Sequence, residues 1–396
     1  MQGAPTATRP RGAGPRSGRA RRRGGARRGG AAALLGGAAL LGLLAGEAAA
    51  ARGPLALFSS SGRSKPEQAS VQEMARKAGH VEDKCWDKAV IPHGSPAEKL
   101  EALLAANPFD KDGKVGPEVE AIMKDPGTGK PVVAMVDTSA CKLLYLAGQA
   151  VTDHSLVEFG TWLGLSSKCI AAGMVKGGAP GDKQYAFDRF ELTGSALKKV
   201  VKTPHKNLKV GSDYQHIWKN NVHPVNPAAH HVKILVDEVL PSHYDHTSID
   251  VFIIDTATTY PGALLHFGRI IDQVKVGSVV IFSDFLYCPN KGKVMKCTKE
   301  HGIPVWIYTE YIAKCKMKLV HMSPTDIHGA FIVTAPLGRE GLEFGPRKYT
   351  KAQWTKFYRE ARAYFAAFVS RHDFTEERRK RYMDSLSQQF ANIGGI

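Results

Sequence analysis

The sequence predicts a doubly wound α/β fold on a mostly parallel sheet, and three observations carry that prediction. Short apolar runs ending in an acid or a serine recur through the second half of the chain: Val251-Phe252-Ile253-Ile254 before Asp255, and Val279-Val280-Ile281-Phe282 before Ser283-Asp284. Strands buried on both faces read as continuous runs of this kind. Segments of helical period separate the runs, so successive strands return to one sheet through right-handed crossovers. A glycine turn, Gly160 to Gly164, joins the first run to the first helix of this core, at the place where open α/β sheets bind ligands.

The amino terminus is of another kind. Residues 1–30 hold nine Arg and no acid, and residues 31–51 are Ala, Leu and Gly with one acid, Glu47. A basic start, an apolar run and the small-residue end Ala48-Ala49-Ala50-Ala51 match a secretory-type signal. A Ser- and Arg-rich stretch, 57–64, follows. That order resembles the bipartite leaders of proteins entering complex plastids, and the Arg-rich start also suits a mitochondrial presequence. Residues 1–65 are therefore read as a cleaved targeting leader, with the mature chain starting between about 48 and 66. The destination is a plastid or mitochondrion, with the secretory pathway as the alternative, and an uncleaved leader is the only membrane contact expected. The leader also explains the charge. The whole chain carries +17, of which the first 30 residues supply +9. The remaining excess is a modest solvated surface, which argues against nucleic acid as a partner.

Residues 66–136 read as a helical cap. Ser95-Pro96-Ala97-Glu98 has the form of a capping box with Pro at the first helical position, and Leu100, Leu103 and Leu104 give the helix one apolar face. Asp110-Lys111-Asp112-Gly113 suggests a calcium loop, but with Gly113 at loop position six, Pro108 falls at one and Val119 at twelve. The bidentate acid is missing, so this is a polar turn. A second helix covers 118–123, a linker 126–131, and Asp137-Thr138 caps a third helix through Leu143, Leu144 and Leu146. The six cysteines are scattered, with no Cys-x-x-Cys pair and no zinc-finger spacing. Reduced thiols are the default reading, and the even count leaves disulfides open.

The core domain spans 137–338. Leu156-Val157 ends in Glu158 as the first strand, and the helix after the glycine turn covers 166–175. Gln184-Tyr185-Ala186-Phe187 is the second strand, ending in Asp188, an acid well placed for a ribose diol because a carboxylate accepts two hydroxyl hydrogen bonds. Helices are expected over 191–201 and 213–221, and a third strand over 230–236 before Asp237 and Glu238. The fourth strand ends in Asp255, a helix follows over 262–274, and Gly277-Ser278 turns the chain into the fifth strand. Val305-Trp306-Ile307-Tyr308 and Phe331-Ile332-Val333 complete a seven-stranded sheet, with 318–321 pairing beside the last. Two late strands without a clear helix between them imply one antiparallel strand. Residues 339–396 form a carboxyl-terminal helical extension. There Trp354, Phe357, Tyr358, Ala361, Tyr364, Phe365 and Phe368 recur at threes and fours, an apolar face for the core or for a homodimer partner.

The order Val-Glu-x-Gly-x-x-x-Gly, then Phe187-Asp188-Arg189-Phe190, then Ile253-Ile254-Asp255, then Gly277-Ser278 through Asp284-Phe285 resembles class I S-adenosylmethionine-dependent methyltransferases, the macrocin O-methyltransferase family in particular, over 150–336. The resemblance implies a Rossmann-like fold and S-adenosyl-L-methionine as cofactor. It implies that Glu158, Gly160 and Gly164 hold the methionine part and Asp188 the ribose, with Thr161, Ser166 and Asp237 also binding the cofactor. It implies a small-molecule acceptor and O-methylation, with Asp255, Asp284 and His266 as candidate bases and Tyr260 near the acceptor. Asp255 and Asp284 also match two of the family's ligands for a divalent metal such as Mg²⁺. Two departures bear on that metal: the family's Asp-x-Asp is Asp255-Thr256-Ala257 here, and its Asp-Asp is Ser283-Asp284. His154, just before the first strand, reads as structural. An NAD(P)-dependent oxidoreductase is the second enzyme reading, against which the missing third glycine of the dinucleotide fingerprint counts. A non-catalytic binding protein is the third, suggested by Ala257 and Ser283.

Overall fold

The computed structural model describes Cys85 and residues 89–109, 115–125, 129–132, 136–200, 204–244, 248–257, 259–286, 290–291, 294–295, 302–323, 328–345, 348–371, 375–377, 379–380, 382 and 384. The leader, the polar turn 110–113, Cys288 and Cys297 lie outside these residues.

Seven strands form one sheet: β1 Ser155–Phe159, β2 Gln184–Asp188, β3 His230–Lys233, β4 Ile249–Ile254, β5 Val274–Phe282, β6 Met317–Met322 and β7 Gly329–Val333. Their order is β3-β2-β1-β4-β5-β7-β6. The first five strands run parallel, and β7 enters antiparallel between β5 and β6. The chain reverses direction across the sheet between β1 and β4, and that switch point opens the crevice in which such sheets bind ligands.

Strand side chains alternate between two cores. Leu156, Val251, Ile253, Val279 and Ile281 face one layer, made by α1 Pro96–Ala106, α2 Pro117–Ile122, α3 Thr138–Ala150 and α4 Leu165–Gly177. Val157, Phe159, Phe252, Ile254, Val280 and Phe282 face the other. Because β1 and β4 are buried along their whole length, their apolar runs are unbroken. Between β2 and β3 lie α5 Gly194–Val200 and α6 Gln215–Val222, and α7 Tyr260–Gly268 follows β4. The cap begins as its sequence predicts: the Ser95 hydroxyl accepts from the Glu98 N–H at 3.3 Å. Its reciprocal arm differs, since the Glu98 carboxylate reaches the Gly94 N–H rather than that of Ser95.

Four expectations are corrected. Residues 305–307 are not a strand: they lie in α8 Ile303–Ile307, which runs into a π-helical turn, Tyr308–Ile312. Pro304 sits in the first helical turn, and the run is apolar because every side of it is buried. The sixth strand is instead the alternating stretch Met317–Met322. The helix expected over 262–274 stops at Gly268, and Val274 already belongs to β5. Gly277 does not precede β5 but bends it at φ 91°, so the register jumps from Ile249 beside Val274 to Val251 beside Val279. The reading of reduced thiols fails as well: Cys85 bonds to Cys315 and Cys141 to Cys169, and no described cysteine is free.

The Cys141–Cys169 bond joins α3 to α4 where their backbones touch. A Cβ on Gly173 would stand 2.0 Å from the Tyr145 carbonyl oxygen, so the helix after the glycine turn is held hard against the cap side. The apolar face of α9 Lys351–Arg371 covers the other layer, with Trp354, Tyr358, Ala361, Tyr364, Phe365 and Phe368 all in its core. No helix among the described residues is long and apolar enough to cross a membrane.

Candidate active site

The turn after β1 holds three residues with left-handed backbone, Trp162 and two glycines. Gly160 has φ 84° and Gly164 φ 91°, with Gly164 as the N-cap of α4. A Cβ on Gly160 would stand 2.5 Å from both the Asp255 carbonyl oxygen and the Thr256 Cγ2. Only glycine lets the turn pass this close to the end of β4.

Asp188 clamps the same turn from the side. Its Oδ2 accepts from the Thr161 N–H at 2.9 Å and the Trp162 N–H at 3.2 Å, and its Oδ1 from the Phe190 N–H at 3.0 Å and the Tyr214 hydroxyl at 2.7 Å. These four donors match the roughly four lone-pair positions of a carboxylate. Burial pushes the Tyr214 hydroxyl far above its usual pKa, so it stays a donor. The ribose role that the resemblance implies for Asp188 is therefore set beside a structural one.

Glu158 lies wholly buried beneath the turn. One carboxylate oxygen accepts from the Ser167 hydroxyl, which in turn accepts from the Trp218 indole N–H at 2.9 Å. The other oxygen, Oε1, has no partner, and neither has the buried Thr161 Oγ1. Burial raises the Glu158 carboxyl to about 7, against the lowering effect of the Ser166 and Ser167 hydroxyls.

At the turn is a cavity of about 330 Å³ lined by Gly160, Trp162, Asp188 and Arg189, by Leu235, Val236 and Asp237, and by Asp255, Thr256 and His266. The ends of four strands, β1 to β4, thus converge on one space. Asp237 stands in a short 3₁₀ turn after β3, 236–238. The His266 Nδ1 is 2.7 Å from the Thr256 hydroxyl. Burial holds its pKa below the usual imidazole range, so the ring is neutral near pH 7. Among the candidate bases, His266 shares the cavity of the nucleoside candidates, as does Asp255.

Asp284 stands apart. It lies in the turn after β5, half-buried, outside that cavity's lining but on the same sheet edge. Its φ is 56°, a left-handed conformation unusual for a residue with a side chain. Beside it Phe285 is held between the rings of Phe331 and Phe365, each 5.2 Å away. Tyr260 opens α7 and packs on Phe344 and Trp354. His154 sits before β1, its N–H donating to Asp250 at 3.2 Å, away from the turn's edge.

Sequence reasoning missed Trp162, Tyr214 and Thr256. Trp162 carried a signal, a large aromatic inside a glycine turn; the other two reach the site only through tertiary contact. Among the described residues no three His, Cys, Asp or Glu side chains gather as a metal site. With Ala257 and Ser283 in place of the family's acids, the donor set does not fit a dedicated Mg²⁺ centre. S-adenosylmethionine does fit what is present: a cavity at the strand ends, a close-approach turn, and unpartnered buried oxygens on Glu158 and Thr161 in and beside that turn.

Residues 157–285 match a family model described as a methyltransferase domain. No curated protein matches the chain. Among solved structures, similar chains include the O-methyltransferase TomG from Streptomyces achromogenes, 15% identical, covering 60% of this chain and 96% of that one at a TM-score of 0.35. The O-methyltransferase NovP is also 15% identical, with the same coverages and a TM-score of 0.36. An O-methyltransferase from Bacillus cereus is 12% identical, covering 66% and 99% at 0.33. The matched segment runs from β1 to the end of β5, and the sheet continues with β7, antiparallel between β5 and β6. Residues 157–285 of the chain carry a methyltransferase domain.

Proposed function

We propose that the protein methylates a hydroxyl of a small-molecule acceptor. The observation that carries the reading is the division of the sheet edge into two parts. The ends of β1 to β4 close around a nucleoside-sized cavity, while Asp284 lies outside it at the end of β5. S-adenosylmethionine bound in the cavity supplies a methyl group already activated for displacement by its sulfonium.

The protein's own work is alignment and proton removal. The Gly160 turn, Glu158, Thr161, Gly164 and Ser166 hold the methionine part. Asp188 fixes the turn and borders the ribose, and Asp237 and His266 face the base. With His266 so engaged, Asp284 is the residue best placed to take the acceptor's proton, and Asp255 orients the acceptor between the two parts. The left-handed backbone at Asp284, which Asp adopts more readily than most residues, turns the chain sharply at the end of β5. No step runs through a metal.

Titration with S-adenosylhomocysteine and with NADH, followed by S-adenosylhomocysteine release against a panel of phenols, sugars and hydroxy acids, tests the reading. Binding without turnover on any acceptor would favour a non-catalytic role, for which Ala257 and Ser283 are the observation. For the leader, we propose cleavage before residue 66 and delivery to an organelle; amino-terminal sequencing of the native protein that returns Met1 would refute it.

A further inference from the structure

Trp162 occupies the position at which a dinucleotide fingerprint, counted from Gly160, has its second glycine. That glycine exists so that the backbone can approach a pyrophosphate. Here the position carries the largest side chain available. It is also held in a conformation that glycine normally supplies, with φ 47°. The surroundings enforce it. The Trp162 N–H donates to Asp188 at 3.2 Å. Its ring packs 5.7 Å from that of Tyr214, tilted by 59°, and the Tyr214 hydroxyl closes the loop on the same Asp188 carboxylate at 2.7 Å. Tyr214 is itself 3% exposed. The indole then lines the cavity with Gly160, Asp188 and Asp255. A strained residue over-determined by its neighbours at a ligand cavity is the pattern expected of a functional constraint.

We propose that Trp162 is the specificity-determining residue of the cofactor cavity. Its indole fills the space that a diphosphate bridge requires, so the turn accepts a nucleoside bearing an amino-acid tail and rejects a dinucleotide. Asp188 and Tyr214 act through it as positioning residues. This rests on the cofactor reading above.

The test is equilibrium titration of wild type, Trp162→Gly and Trp162→Phe with S-adenosylhomocysteine and with NADH, beside thermal melts. Wild type is expected to bind S-adenosylhomocysteine in strong preference to NADH. Trp162→Gly relaxes the left-handed backbone but gives up the ring contact with Tyr214, and in the folded variant the ratio of the two dissociation constants should narrow by at least about tenfold. Trp162→Phe should keep the wild-type ratio. If glycine loosens the turn and lowers the melting temperature, Trp162→Asn makes the same comparison, because Asn also tolerates this backbone. An unchanged ratio in a folded Gly or Asn variant overturns the role of Trp162 and leaves the cofactor reading standing. A wild type that binds neither ligand, or NADH the better, overturns both.

Discussion

Glu158 should make the protein less stable as the pH rises through neutrality, and Glu158→Gln should remove that dependence. The carboxyl is fully buried, with one oxygen bonded to Ser167 and the other unpartnered. Burial lifts it from an ordinary 4.5 to about 7. The fold therefore holds the proton more tightly than the unfolded chain does. Stability from this group is complete below about 4.5, declines as the pH rises, and is lost above about 7. At about 1.4 kcal/mol per pH unit the loss is roughly 3 kcal/mol. Glutamine keeps the shape and an acceptor for Ser167 but never ionises. Urea unfolding of both proteins from pH 4 to pH 8.5 reads the difference. The two curves should coincide near pH 4, and the variant should be the more stable by roughly 3 kcal/mol at pH 8. Parallel curves across that range would refute the burial argument. A cationic ligand tail over Glu158 adds a corollary: wild-type affinity for S-adenosylmethionine should rise with pH through about 7, and the variant's should not.

Asp284→Asn should lower kcat by about two to four powers of ten with little change in S-adenosylhomocysteine affinity, as loss of a general base does. Phe365→Leu, which loosens the ring contact on Phe285, should reproduce part of that loss with the same split; a change in cofactor affinity alone would count against both. Gly160→Val should abolish cofactor binding and also lower the melting temperature, because its Cβ meets backbone at 2.5 Å; a stable variant of normal affinity would show the turn to be dispensable. Reduction should destabilise the native protein by roughly 4–8 kcal/mol through the loss of Cys85–Cys315 and Cys141–Cys169, at about 2–4 kcal/mol for each bond. An identical melt with and without reductant would contradict it.

The parallel core was legible because buried strands and crossover helices leave periodic traces. β4 and the end of β5 stand where their apolar runs predict them, and the acids Asp188, Asp255 and Asp284 stand at strand ends as expected. Val305-Trp306-Ile307 was misread because a short, fully buried apolar run looks the same as helix or as strand, and Pro304 was the overlooked sign. Cysteine pairing is not written in spacing: Cys85 and Cys315 are 230 residues apart. The clamp of Asp188 on Thr161, Trp162 and Tyr214 was illegible for a related reason. It depends on which lone pairs point where, and no pattern of residue types records that. What the sequence offered as a ribose ligand is, in the fold, first the fastener of the turn.

The ring of Phe365 against Phe285 also sets a schedule for the protein's making. Every wall of the nucleoside cavity has been synthesised by the time α7 emerges. The turn that aims Asp284 is braced only when Phe331 and then Phe365 have arrived. The residues that line the cavity and those that brace the turn of Asp284 are thus separate along the chain, and a cut before α9 removes part of the brace and none of the lining. α9 closes that brace through Phe365.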